Sequence, residues 1–318
     1  MAQRASGGWT EDMKQGIRRF FRYARERHEI HLRRVAGVPC DEWTRDPILQ
    51  QYRFTNVFRE LDKTTAWFKR YVREPLRNKP EVLVATVLFR LLNRIEVGEA
   101  VFLHDSLLAE SSAFYELVRA DGNPKRTRIA IRNIERAITA FVGDRGPYVT
   151  GAYIITSPTG MRKLPGVLSI VEKFALSDWQ NFSRNADIRS LESAWEWLKE
   201  YPYFGPFHSY EMVTDLRHTA LLECAPDVMS WANVGPGCRR GLNRVMGRDK
   251  RDHSTGTEQM LDEMRELLAL SRDAGLWPQN DKKNWPSWEM REVEHTLCEF
   301  DKMERVRLGE GRPRGVYR

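Results

Sequence analysis

The sequence is poor in cysteine and has no long apolar run. Its four cysteines, Cys40, Cys224, Cys238 and Cys298, are scattered and form no Cys-x-x-Cys pair. That scatter leaves no readable zinc site, iron–sulfur cluster or disulfide framework, and it fits a reducing compartment. No apolar stretch reaches the roughly 18 residues of a membrane-spanning helix, and the N-terminus has no apolar signal core. Neither a membrane partner nor a metal site is therefore expected. Catalytic signatures are missing too. There is no Gly-x4-Gly-Lys-Ser/Thr loop, so a phosphate-loop kinase is excluded. Nor is there a Gly-x-Gly-x-x-Gly after a strand, a His-Glu-x-x-His or a Gly-x-Ser-x-Gly elbow.

What is present is a chain of 318 residues, 41% hydrophobic, with a formal net charge of +7. Such a length supports one large domain or two smaller ones with a proper core. The basic surplus suits a polyanionic partner such as nucleic acid. Arginines crowd the start of the chain (Arg18, Arg19, Arg22, Arg25, Arg27, Arg33 and Arg34), and the end, RVRLGEGRPRGVYR, is basic again. Each basic end is equally readable as a solvated face.

The local pattern is helical almost throughout, and a single all-α domain over 1–318, in one or two lobes, is expected. Residues 10–35 predict a long helix with Ile17, Phe20, Phe21, Ala24 and His28 near one face. GVPCDEWTRDP is a loop. The following ILQQYRFTNVFRELDKTTAWFKRYV predicts a helix, with Phe54, Val57, Phe58 and Leu61 at buried-stripe spacing. A helix over 80–97 starts at a proline, which suits its first position. Further helices are expected over 106–120, 126–142, 164–175, 188–200, 206–217, 236–247, 256–272 and 286–306. Only VTGAYIIT, 149–156, has strand-like composition.

Four groups of residues draw attention. The helix over 80–97 is apolar nearly all round, so Arg90, which shares a stripe with Thr86 and Asn93, should be buried. A buried arginine must be paired, for instance with Asp62 or Glu60, or must meet a ligand anion. Asn56, Arg59 and Lys63 repeat the theme of Asn and Arg three residues apart, a pairing suited to a phosphate or a base edge. Glu211 and Asp215 lie one turn apart, and in the last helix Glu292, His295, Glu299 and Lys302 fall on one polar stripe, with Glu299 and Lys302 within a turn of each other. A carboxylate in such a place serves as a general base or as half of a surface ion pair. Finally, Gly235-Pro236-Gly237 opens a helix carrying Arg239, Arg240 and Arg244. A glycine turn at a helix N-terminus presents backbone N–H groups to an anion.

NVGPGCRRGLNRV resembles the hairpin of helix-hairpin-helix DNA glycosylases. Four segments together resemble a more specific family: DPILQQYRFTNVFRELDKTT, FGPFHSYEMVTDL, NVGPGCRRGLNRVMGR and REVEHTLCEFDKMERVRLGEGRPR. They are similar to the α-glutamyl/putrescinyl-thymine pyrophosphorylases of phage thymine hypermodification, also called amino acid:DNA transferases. The helical domain of that family is also met as the 5-hydroxymethyluracil DNA kinase helical domain. The resemblance covers roughly residues 15–314.

It implies a helix-hairpin-helix, glycosylase-like architecture. It implies an enzyme that joins an amine, from an amino acid such as glycine or glutamate or from putrescine, to the methylene of pyrophosphorylated 5-hydroxymethyluracil in DNA and expels pyrophosphate. The partners implied are double-stranded DNA with a modified thymine, the amine donor and an upstream DNA kinase. The place implied is the cytoplasm of an infected bacterium. No cofactor is read with certainty; Mg²⁺ is the one the chemistry would admit.

In these terms Asp215, Glu299 and Lys302 are the catalytic candidates. Asn56, Arg59, Arg90 and Asn93 would bind substrate. Gly235, Gly237, Arg239, Arg240 and Arg244 would bind DNA. One departure stands out. Arg239 occupies the place of the lyase-type glycosylase lysine and cannot form a Schiff base at neutral pH. Asp249 and Asp252 lie closer to the hairpin than the aspartate of other glycosylases. A glycosylase and a non-catalytic DNA-binding module are the alternatives.

Overall fold

The computed structural model describes residues 8–105, 107–143, 147–149, 155–273, 275–278 and 285–317. The fold is all-α: fourteen helices and one hairpin of two-residue strands lie among the described residues. The chain divides into two compact units, one built from 1–62 and 228–318, the other from 63–227.

The first unit is organised by three long helices. α1 (Glu11–Val35) is capped by Thr10, whose side chain accepts the Met13 N–H, and carries acids in its first turn and arginines in its last. Its expected apolar face is buried as a whole, including His28. After α2 (Pro47–Gln51), the expected long helix does not form. The chain runs extended to a short 3₁₀ turn, Arg59–Leu61. Its backbone groups are claimed from outside. The Tyr317 N–H donates to the Gln51 carbonyl, the Arg53 N–H donates to the Gly315 carbonyl, and the Arg27 guanidinium takes the Phe54 carbonyl. Phe54, Val57 and Phe58 are buried as expected, whereas Leu61 is exposed.

The later helices are numbered in chain order with those of the second unit. α12 (Pro236–Val245), α13 (Thr257–Leu270) and α14 (Met290–Arg307) complete the first unit. α12 lies so close to α14 that a methyl group on Gly241 would overlap the Leu297 carbonyl. One on Gly16 of α1 would likewise overlap the Val245 carbonyl of α12. Glycine is required here for close approach, not for a special backbone angle. Phe20, Phe21, Trp277, Trp285, Trp288 and Phe58 form the aromatic core around His28.

The second unit holds α3 (Lys63–Phe68), continued by a π turn to Arg73, and α4 (Val82–Leu92), buried all round. The helix expected over 80–97 breaks at Asn93, which adopts the left-handed conformation (φ 51°, ψ 41°) tolerated by asparagine at a helix end. α5 (Ile95–Phe102) then begins, followed by β1 (Leu103–His104) and β2 (Leu107–Leu108), paired antiparallel. α6 (Ala113–Arg119), α7 (Pro124–Val142) and α8 (Lys163–Ala175) pack in succession. α9 (Asn181–Arg184), α10 (Leu191–Lys199) and α11 (Gly205–Leu216) close the unit, with α11 against α4. Most of the strand-like stretch, 150–154, lies outside the described residues.

Candidate functional site

Two polar clusters stand out, one in each unit. In the second unit Arg90, on fully buried α4, meets Asp215 of α11. Its Nε donates to Oδ2 and its Nη2 donates to Oδ1 at 2.8 Å. Arg73 Nη1 donates to the same Oδ1 at 3.3 Å. Arg90 also donates to the Asn93 side-chain oxygen and the Thr65 hydroxyl, both at 3.1 Å. All five residues are buried. The partner of Arg90 is therefore Asp215, not the Asp62 or Glu60 that the sequence offered. The left-handed turn at Asn93 is what brings its side chain back to Arg90.

This arrangement bears on Asp215 as a base. Its side chain is wholly buried and shared by two guanidinium groups. Both of its carboxylate oxygens are thereby taken up by guanidinium donors. Chemically the cluster is a buried arginine–aspartate centre that fixes α4 against α11. Glu211 is buried one turn before Asp215.

In the first unit the second cluster joins the extended segment after α2 to α14. The Thr55 N–H donates to Glu299 Oε2 at 3.2 Å, and the Thr55 hydroxyl lies 2.5 Å from His295 Nε2. Lys302 Nζ donates to the other oxygen of Glu299. Burial acts to raise the Glu299 pKa, but Lys302, His295 and the Thr55 N–H outweigh it, and the net direction is down. Burial acts to lower the Lys302 pKa, yet Glu299 outweighs it, and the net direction is up. Both shifts favour a fully ionised pair. Lys302 keeps about a third of its side chain exposed while Glu299 is nearly covered, so the pair has one open end. Burial, then Glu299, pushes the neighbouring Cys298 thiol up to about 12, so it stays protonated and is no nucleophile. Among the described residues no group of three or more His, Cys, Asp or Glu is arranged to hold a metal ion.

Asn56 and Arg59 flank the same segment. Asn56 donates from its side chain to the Leu61 carbonyl and accepts from Arg27 Nη2 at 2.7 Å. Arg59 Nη1 donates to Asp62 at 3.0 Å. The structure thus brings Asn56, Arg59, Glu299 and Lys302 together in one unit, and Arg90, Asn93 and Asp215 together in the other. Sequence reasoning missed Thr55 and left His295 as one member of a polar stripe. The spacing His295–Glu299 was the available signal; Thr55 has none, since only the unexpected extended segment delivers it.

The hairpin residues sit at the N-terminus of α12. Gly235 is the cap residue, with no side-chain cap, and Gly237 abuts the Cys298 sulfur so closely that a side chain there would clash. Arg239 donates to the Thr255 carbonyl at 2.9 Å. Arg240 and Arg244 both reach buried Asp301, at 2.8 and 3.0 Å, and Arg244 also binds Glu310. These arginines hold α12 to α14 and to the C-terminal segment.

Comparison with known proteins places the chain in a family. The model of the 5-hmdU DNA kinase helical domain matches residues 14–312, so the chain belongs to that family. A 5-hmdU DNA kinase of Bacillus phage SP10 is 27% identical over 240 residues, which are 69% of this chain and 34% of that protein. The chain thus spans about a third of the length of this curated relative. No solved structure matches.

Proposed function

We propose that this chain acts on DNA carrying a hypermodified thymine. It transfers an amine to the exocyclic methylene of pyrophosphorylated 5-hydroxymethyluracil. The observation that carries the reading is the ionised Glu299–Lys302 pair, tied through Thr55 to His295. Family membership supports the DNA pathway. The absence of a phosphate-loop motif from the sequence favours a step after phosphorylation over the phosphorylation itself.

The donor arrives as an ammonium and loses a proton to Glu299, or to His295 beside it. The neutral nitrogen attacks the methylene carbon and forms the C–N bond. The C–O bond breaks and pyrophosphate leaves with the electron pair. The pyrimidine ring shares the charge that develops at the methylene. Lys302 and Arg59 oppose the charge of the leaving group. Asp215 holds Arg90 and Arg73, and Asn93 completes that support. The glycine turn of Gly235 and Gly237, with Arg239 beside it, is the helix-hairpin-helix-like contact to the phosphate backbone, while Arg240 and Arg244, paired with Asp301, hold α12 in place for it. Duplex DNA, an amine donor and an upstream kinase are the partners, acting in an infected bacterium.

Glu299→Gln should reduce amine-dependent pyrophosphate release by about 10²–10⁴-fold, the usual scale for loss of a general base. Full activity in that variant overturns the assignment. A DNA-holding module is the second reading, favoured because the stretch shared with the kinase of Bacillus phage SP10 is only 34% of that protein. It predicts salt-dependent DNA binding with no pyrophosphate release under any donor.

A further inference from the structure

α7 carries its charges in an unusual place. Its inner face (Thr127, Ala130, Ile131, Ile134, Ile138 and Val142) is buried. Its outer face exposes Lys125, Arg126, Arg128, Arg132 and Arg136. Only Arg128 among these five has an ion-pair partner among the described residues, Glu172 at 3.7 Å. By contrast, Arg240, Arg244 and Arg248 all bind carboxylates.

The placement opposes helix stability. The N-terminus of a helix carries partial positive charge and favours acids. α7 has no acid in its first turn, and three of the five basic residues lie at positions 125–128, just after the Asn123 cap. By contrast, α1 has acids first and arginines last. A cost of this kind is offset when an external anion sits on the face.

Spacing defines the anion. Lys125, Arg128, Arg132 and Arg136 fall at steps of three and four residues and make one stripe. At about 1.5 Å of rise per residue the stripe is roughly 16 Å long. One strand of B-DNA carries a charge about every 3.4 Å of axis, so about five phosphates face such a length. Four basic residues along the stripe, with Arg126 beside it and Glu135 as the one carboxylate of α7, stand against about five phosphates. The one amide side chain between them, Asn133, is held by Glu116, so the contact is sequence-independent.

We propose that the outer face of α7 is a docking surface for the phosphate backbone of duplex DNA, separate from both polar clusters. It rests on the reading of the chain as a DNA-acting protein and adds a contact that reading does not contain.

The test uses the full chain and unmodified duplex DNA across a salt series. The variant is Arg126→Gln, Arg132→Gln and Arg136→Gln together; glutamine keeps helix propensity, and circular dichroism checks the fold. A control variant, Lys14→Gln, Arg18→Gln and Arg22→Gln, removes the same charge from α1. The slope of log K against log salt should flatten by about 2–3 in the α7 variant, near 0.9 per lost phosphate contact, and by less in the control. If the wild type binds and the α7 variant loses no more slope than the control, this proposal falls while the DNA reading stands. If the wild type binds no DNA, both fall. Retention on vesicles of anionic lipid that depends on Arg126, Arg132 and Arg136, without DNA binding, also overturns it.

Discussion

Glu292 and His28 are buried groups whose ionisation the fold resists in opposite directions. Burial raises Glu292 to about 7, only partly offset by Arg291 and the Glu289 N–H. Burial, then His31 and Arg27, lowers His28 to about 4. The stability contributed by Glu292 is complete below its unfolded value, near 4.5, and is lost as pH rises to about 7. That contributed by His28 is complete above its unfolded value, near 6.5, and is lost as pH falls to about 4. Between these values the two slopes oppose each other. Glu292→Gln removes one of them. Its stability, measured by urea unfolding at pH 5 and pH 6, should rise with pH more steeply than that of the wild type by about 1.4 kcal/mol per unit. Equal slopes would mean that Glu292 is ionised in the fold.

Asp215 is the other decisive residue. It is the shared partner of two buried guanidinium groups, so Asp215→Asn leaves positive charge uncompensated. The expected loss is about 3–5 kcal/mol, read from the urea midpoint. Unchanged stability would mean that the two guanidinium groups do not depend on Asp215.

Among the elements, the long periodic helices were legible in the sequence. α1 and α14 carry apolar stripes long enough to fix both type and face, and the buried faces are those that periodicity selects. The segment after α2 was not legible, although Phe54, Val57 and Phe58 sit at helical spacing. Arg27, Glu299 and the residues at 315–317, all distant in sequence, claim its backbone and hold it extended. The candidate site follows the same division. Glu299 and Lys302 were visible as a turn-spaced pair, whereas Thr55 reaches them only because that segment is not a helix. The break at Asn93 was hidden for a related reason, since the Arg90 contact that rewards it depends on Asp215 over a hundred residues away. The glycines of α12 yield a prediction at this scale. Gly241→Ala forces a methyl against the Leu297 carbonyl, so α12 and α14 must separate. A loss of about 1–3 kcal/mol, the scale of overpacking, is expected in thermal or urea unfolding. No loss would mean that the two helices have slack between them.

For the whole molecule, a basic chain of the 5-hmdU DNA kinase helical-domain family carries one ionised, half-open Glu–Lys pair and one sealed arginine–aspartate core. The proposed joining of an amine to a modified thymine is tested by its product. The most direct measurement is nucleoside mass spectrometry. Duplex DNA containing pyrophosphorylated 5-hydroxymethyluracil is incubated with the protein and a mixture of amino acids and polyamines, then digested. The expected product is a new nucleoside whose mass is that of thymidine joined through its methyl carbon to one amine of the mixture, with pyrophosphate released in equal amount. Abasic sites with loss of the base would contradict it in favour of a glycosylase, and DNA returned unchanged under every donor would contradict it in favour of a binding module.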